Sequence, residues 1–168
     1  MTKILVIAAG LMFVKSIQAQ ESSKASFYPL KVGQERTLTW YTSQYRESIS
    51  DSVTIDRNTY YIVSKENISF RQNLMLRAAN DTVYRYDEKL QKEVPFFGVK
   101  PQVGLQVGDG TVTGVNQKLK TSRRTLKHLL EIDMKYEFGH HETLYLQKGV
   151  GLVAAKHSNG YICYLLTD

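Results

Sequence analysis

Between positions 130 and 138 every second residue is apolar: Leu130, Ile132, Met134, Tyr136 and Phe138, with Glu131, Asp133, Lys135 and Glu137 between them. A helix needs apolar residues three and four apart, whereas successive strand side chains point to opposite faces. The alternation therefore predicts an extended strand with one buried and one solvated face, which must pair with others. The downstream sequence supplies them. A Gly139-His140-His141 turn precedes Thr143-Leu144-Tyr145-Leu146, a Gly-marked run covers 149–155, and Ser158-Asn159-Gly160 turns into 161–166. This reads as an antiparallel meander whose last strand, apolar on both sides, is covered.

Upstream, 36–42 is rich in β-branched and aromatic residues, with Leu38 and Trp40 on one side of the pleat. The polar stretch 43–51 reads as a long hairpin tip or the fraying ends of two strands. Strands are expected at 53–55, 59–64, 74–78 and 82–87, with Asn80-Asp81 as a two-residue hairpin. Pro95 demotes 93–97 to an edge or a bulge, because it offers no amide proton. Residues 98–110, with four glycines and Pro101, read as a crossing loop, followed by strands at 111–115 and 117–121 turned at Val115-Asn116. The expected fold is all-β: an antiparallel meander of about ten strands curled into a half-barrel or barrel, with few or no long helices. A short echo, 30–34 (Leu-Lys-Val-Gly-Gln) against 105–109 (Leu-Gln-Val-Gly-Asp), divides the chain near residue 100 and is read as two similar turns.

The first residues carry Lys3, an apolar run at 4–14 and Ala19, a pattern that predicts a secretory signal peptide over 1–19. The apolar run is too short to cross a bilayer as a helix. A flexible segment 20–27 and a single β domain 28–168 follow, a length that buries a sizeable core without staples. Cys163 is the only cysteine, so no internal disulfide is possible, and it reads as a small core residue. Its distance from the signal peptide excludes a lipoprotein anchor. Without Lys3 and Lys15 the formal charge of +6 falls to +4, a mild excess. Nucleic acid is not an expected partner of an exported chain, and the mature part carries no membrane-spanning segment. Between 116 and 128, however, Lys118, Lys120, Arg123, Arg124 and Lys127 occur without one acid. These are the candidates for touching an anionic surface such as lipid head groups, against the plainer reading of a solvated connection.

The order of a signal peptide, Tyr28-x-Pro29-Leu30-x-x-Gly33, Trp40-Tyr41, Val83-Tyr84-x-Tyr86-Asp87, Leu105-x-Val107-Gly108-Asp109 and Gly149-Val150-Gly151-Leu152-Val153 resembles a type of small exported β-rich protein of Gram-negative bacteria. The likeness implies a curved sheet similar to the half-barrels of the lipoprotein-localisation factors, and it supplies no catalytic residues. The chain departs from those carriers in lacking long helices to plug the barrel.

No Gly-x-Ser-x-Gly, His-Glu-x-x-His or phosphate-loop motif is present, so no catalytic residue is assigned and no cofactor is expected. His140 and His141 are adjacent and would point to opposite faces of a strand, so no metal site is assigned. Aromatic residues on the inside of a curved sheet can line an apolar pocket. The candidates are Trp40, Tyr84, Tyr86, Leu130, Ile132, Met134 and Tyr136. The leading expectation is a non-catalytic periplasmic binding or carrier protein for an apolar or amphiphilic envelope ligand, a lipid among the possibilities. The alternative is an accessory interaction protein that offers a sheet face or edge to an envelope protein partner and has no pocket.

Overall fold

The computed structural model describes residues 26–80, 82–98, 101–136 and 141–166. The signal peptide expected at 1–19 and most of the segment 20–27 lie outside them, as do Phe138, Gly139 and His140. Strand is the regular structure throughout the described residues, and two meanders account for all of it. The first sheet runs in chain order through β1 (Glu35–Trp40), β2 (Ser43–Ile55), β3 (Asn58–Glu66), β4 (Arg71–Ala79), β5 (Thr82–Asp87) and β6 (Lys92–Gly98). The second runs through β7 (Gln106–Val107), β8 (Gly110–Lys120), β9 (Thr125–Lys135), β10 (His141–Gln147), β11 (Gly151–His157) and β12 (Ile162–Tyr164). Every pairing is antiparallel and between sequence neighbours, as a meander requires.

Where a half-barrel or barrel was expected, the described residues form two six-stranded antiparallel sheets that face one another and are not closed into a barrel. At one seam β1 and β12 touch through a single bridge, Leu38 with Leu165, and the Leu166 amide donates to the Thr37 carbonyl at 2.8 Å. The apolar core joins the sheets: Ile49, Val63, Leu74, Leu76 and Val83 from the first meet Val112, Leu130, Ile132 and Leu146 from the second. The face bearing Leu130 and Ile132 is buried, as the alternation required.

Among the described residues there are twelve strands where about ten were expected, and two stretches differ in form from their expected reading. Residues 43–51 are no hairpin tip. They open the longest strand, β2, and the tight turn is Tyr41-Thr42, with Tyr41 in the left-handed region at φ 48°. Inward positions of β2 are Tyr45, Glu47 and Ile49, so the alternation was intact but carried a carboxylate in its middle. Nor is Val115-Asn116 a chain-reversing turn. β8 continues to Lys120 with three register shifts against β9, and the reversal comes at 121–124. The shifts bend the far end of this hairpin over the outer face of the second sheet. There Leu119 and Leu126 close a second core with Leu129, Tyr145, Val153 and Ala154, and the Ser122 hydroxyl bonds the Tyr164 hydroxyl at 2.9 Å.

Both meanders are entered by the same device. In 31–34 (Lys-Val-Gly-Gln) the Gln34 amide bonds the Lys31 carbonyl at 3.1 Å, and in 102–105 (Gln-Val-Gly-Leu) the Leu105 amide bonds the Gln102 carbonyl at 2.9 Å. The third residue of each is glycine at positive φ, Gly33 at 84° and Gly104 at 89°. Each glycine amide then donates to a strand residue, Ile49 or Val112, whose own amide bonds back to the residue after the glycine. The echo in the sequence is therefore real in geometry but matches Gly33 with Gly104, not with Gly108.

Candidate functional site

Strand register places four polar residues side by side on the inner face of the first sheet. Arg36 pairs with Glu47, Glu47 with Lys65, and Lys65 with Gln72. Glu47 is the hub: Arg36 Nη1 donates to Oε1, the Tyr28 hydroxyl donates to Oε2 at 3.3 Å, and Lys65 Nζ stands 3.7 Å from Oε2. Arg36 reaches across to the second sheet and donates through Nε to the Val150 carbonyl at 2.5 Å. Gly151, at φ 98°, makes room for it, since a Cβ there would fall 2.6 Å from the guanidinium carbon. Burial, with Glu47 beside it, raises the Tyr28 hydroxyl well above its ordinary pKa, so that hydroxyl stays a donor. This end of the molecule is shut by residues 26–30, with the Gly149 amide bonded to the Ser26 carbonyl at 2.8 Å.

Beside this cluster the sheets part around two adjoining cavities, the first lined by Tyr28 and both by Lys65. One, of about 310 Å³, is walled by Leu74, Phe96, Phe97, Ile132, Met134 and Leu146, with Arg85 and Asp109 at its polar side. The second, of about 290 Å³, is walled by Leu38, Trp40, Tyr45, Phe70, Leu152 and Ala155. Lys65, Gln72, Tyr136 and Leu144 line both. Phe70 and Tyr136 are 41% and 44% exposed while lining the second cavity, so they mark its opening to solvent. The Lys65 ammonium lies 5.9 Å from the ring centres of Tyr28 and Phe96, and no described residue accepts a hydrogen bond from it.

The second cavity has a further polar wall. Register pairs Glu142 with His157 on the inner face. His157 Nδ1 stands 3.5 Å from Glu142 Oε1, and its Nε2 lies 3.2 Å from Cys163 Sγ. The Tyr136 hydroxyl donates to Glu142 Oε2 at 3.0 Å. Burial, helped by the Glu142 charge, pushes the Cys163 thiol up to about 12, so it is held protonated beside the imidazole. Trp40, Tyr41 and Tyr161 surround the ring, with Tyr41 stacked on Tyr161 at 4.1 Å.

Of the sequence candidates, Trp40, Ile132, Met134 and Tyr136 line these cavities, and Leu130 is core between the sheets. Tyr84 and Tyr86 line neither. They alternate with inward Val83 and Arg85 and so face outward, where Tyr84 lies under the Arg77 guanidinium and Tyr86 packs edge-on to Tyr60. Lys118, Lys120, Arg123, Arg124 and Lys127 are exposed on the bent β8–β9 hairpin, Arg123 over the Tyr164 ring at 6.0 Å. Sequence reasoning missed Arg36, Glu47, Lys65 and Gln72. Their signal is the register of the first three hairpins, legible only once β2 is read as a strand. Among the described residues no group of histidine, cysteine and acidic side chains is arranged to hold a metal ion, and no helix is long and apolar enough to cross a membrane. No known protein family, curated protein or solved structure matches the chain.

Proposed function

We propose that the chain is a non-catalytic binding or carrier protein of the bacterial envelope, exported through its first nineteen residues, that holds an apolar or amphiphilic ligand between its sheets. The observation that carries this reading is the pair of adjoining cavities, apolar in their walls and open beside Phe70 and Tyr136. Concave sites with mostly apolar linings and a few placed polar groups are the usual form of a small-molecule site. A core packed to ordinary density has few voids larger than a water molecule. The basic hairpin adds a way to approach a membrane: Lys118, Lys120 and Lys127 are exposed and make no ion pair with a described residue. Each such charge near an anionic bilayer is worth about 1 kcal/mol.

Native mass spectrometry with solvent extraction, on protein purified from its own periplasm without detergent, tests the reading. A discrete extra mass that extracts as a lipid or other small molecule supports it. A bare polypeptide mass, together with no uptake of a neutral apolar dye such as Nile red, counts against it.

A further inference from the structure

Where the two cavities meet, Lys65 is a cation without a carboxylate of its own. Arg36 and Lys65 share one carboxylate, Glu47, which also accepts the Tyr28 hydroxyl. The closer cation, Arg36, takes Glu47 Oε1 and the Val150 carbonyl. Lys65 is left 3.7 Å from the remaining oxygen, beyond hydrogen-bond distance, with its side chain only 20% exposed. An ammonium has three protons to donate and no acceptor capacity, so its complement is an anion. The other cation of the cavities, Arg85, stands 3.9 Å from Asp87, while Asp109 also lines the first cavity and Glu142 on the second accepts the Tyr136 hydroxyl and faces His157.

Size limits the rest of the ligand. Two narrow, adjoining cavities of about 310 and 290 Å³ suit one apolar chain running from one into the other. We infer that the ligand is a single-chain amphiphile with an anionic head, the head on the Lys65 ammonium where the cavities meet and the chain along the wall of Leu74, Phe96, Ile132 and Met134. This rests on the carrier reading and narrows it to a ligand class.

The test is displacement of Nile red from the delipidated protein at pH 8 by three amphiphiles of equal chain length: dodecanoate, dodecanol and dodecylamine. Dodecanoate is expected to displace at a concentration about tenfold or more below dodecanol, the factor a charge-assisted contact contributes. Lys65→Met is expected to remove that preference, so that dodecanoate and dodecanol displace the dye at similar concentrations, and Lys65→Arg to keep it. Should Lys65→Met fail to fold, Lys65→Gln takes its place, and the wild-type ratio decides alone if both fail. Equal displacement by acid and alcohol, a preference for the amine, or a preference that survives loss of the Lys65 charge overturns the anionic head while dye and alcohol binding leave the carrier reading standing. If neither dye nor any amphiphile binds, the carrier reading falls first and this inference with it.

Discussion

Glu47 is 1% exposed and faces two cations and a phenol, so its removal leaves Arg36 buried with a charge nothing answers. Breaking a buried pair from one side costs about 3–5 kcal/mol. Glu47→Ala is accordingly expected to lower the unfolding free energy in urea by that amount, and Arg36→Met combined with Glu47→Leu to recover most of it. An unchanged midpoint for Glu47→Ala would show that the guanidinium finds water. Cys163 makes a quieter prediction. Its thiol, held up to about 12 in the fold, has an unfolded value near 8.5. Between those values the unfolded chain releases a proton that the folded one keeps, so stability that is whole below about pH 8.5 declines as pH rises. Subtracting the curve for Cys163→Ser isolates this decline, and Ellman's reagent at pH 8 should find the thiol only after unfolding. None of this chemistry was visible residue by residue. A glutamate in a polar stretch looks like solvent, and only its partners across two strands show that it points inward.

At the scale of strands and hairpins, what the sequence made legible depended on how apolar the inner face was. The alternation from Leu130 to Met134 stands where it was expected, and Ala79 lies opposite Thr82 across the expected hairpin, whose Asp81 is outside the described residues. Pro95 lies both on the edge strand β6 and opposite the register shift between Val83 and Tyr84, so the two readings of that proline hold together. The basic stretch 116–128 was harder, because Leu119 and Leu126 are isolated among charges and report a face only once they meet across a bent hairpin. The bend divides the hairpin into two energetic roles. Leu126→Ala removes a buried contact to the second core and is expected to cost about 2–3 kcal/mol in thermal or urea unfolding. Changing Lys118, Lys120 and Lys127 together to Gln is expected to stay within about 0.5 kcal/mol of the parent for each substitution. The same triple variant is expected to lose binding to vesicles rich in anionic lipid, with the parent's binding weakening as salt is added. Equal vesicle binding by parent and variant would remove the hairpin from the membrane proposal.

For the molecule as a whole, each meander keeps one apolar face that only the other covers. Val63, Leu74 and Leu76 have their partners in Leu130, Ile132 and Leu146, and Arg36 of the first sheet ends on Val150 of the second. Unfolding is therefore expected as one cooperative transition, with intrinsic fluorescence of Trp40 and far-ultraviolet circular dichroism tracing the same curve. Two separated midpoints would mean that a six-stranded unit stands alone. The division near residue 100 was legible from the repeated Val-Gly turn, whereas the choice between a barrel and two facing sheets was not. That choice is made at the seams, where a few hydrogen bonds between distant residues leave no periodic trace in the sequence.

The way these sheets end bears on how the protein lives among other chains. Two of the four outer strands, β1 and β12, shield each other; β6 is interrupted by Pro95, and β7 has only two residues. Free backbone donors and acceptors in a long row are what recruit foreign strands and seed fibrils, and short or proline-broken borders deny them a template. A protein finished in this way can be crowded to high concentration without polymerising through its sheets, and a visitor that joins by adding a strand finds little to join.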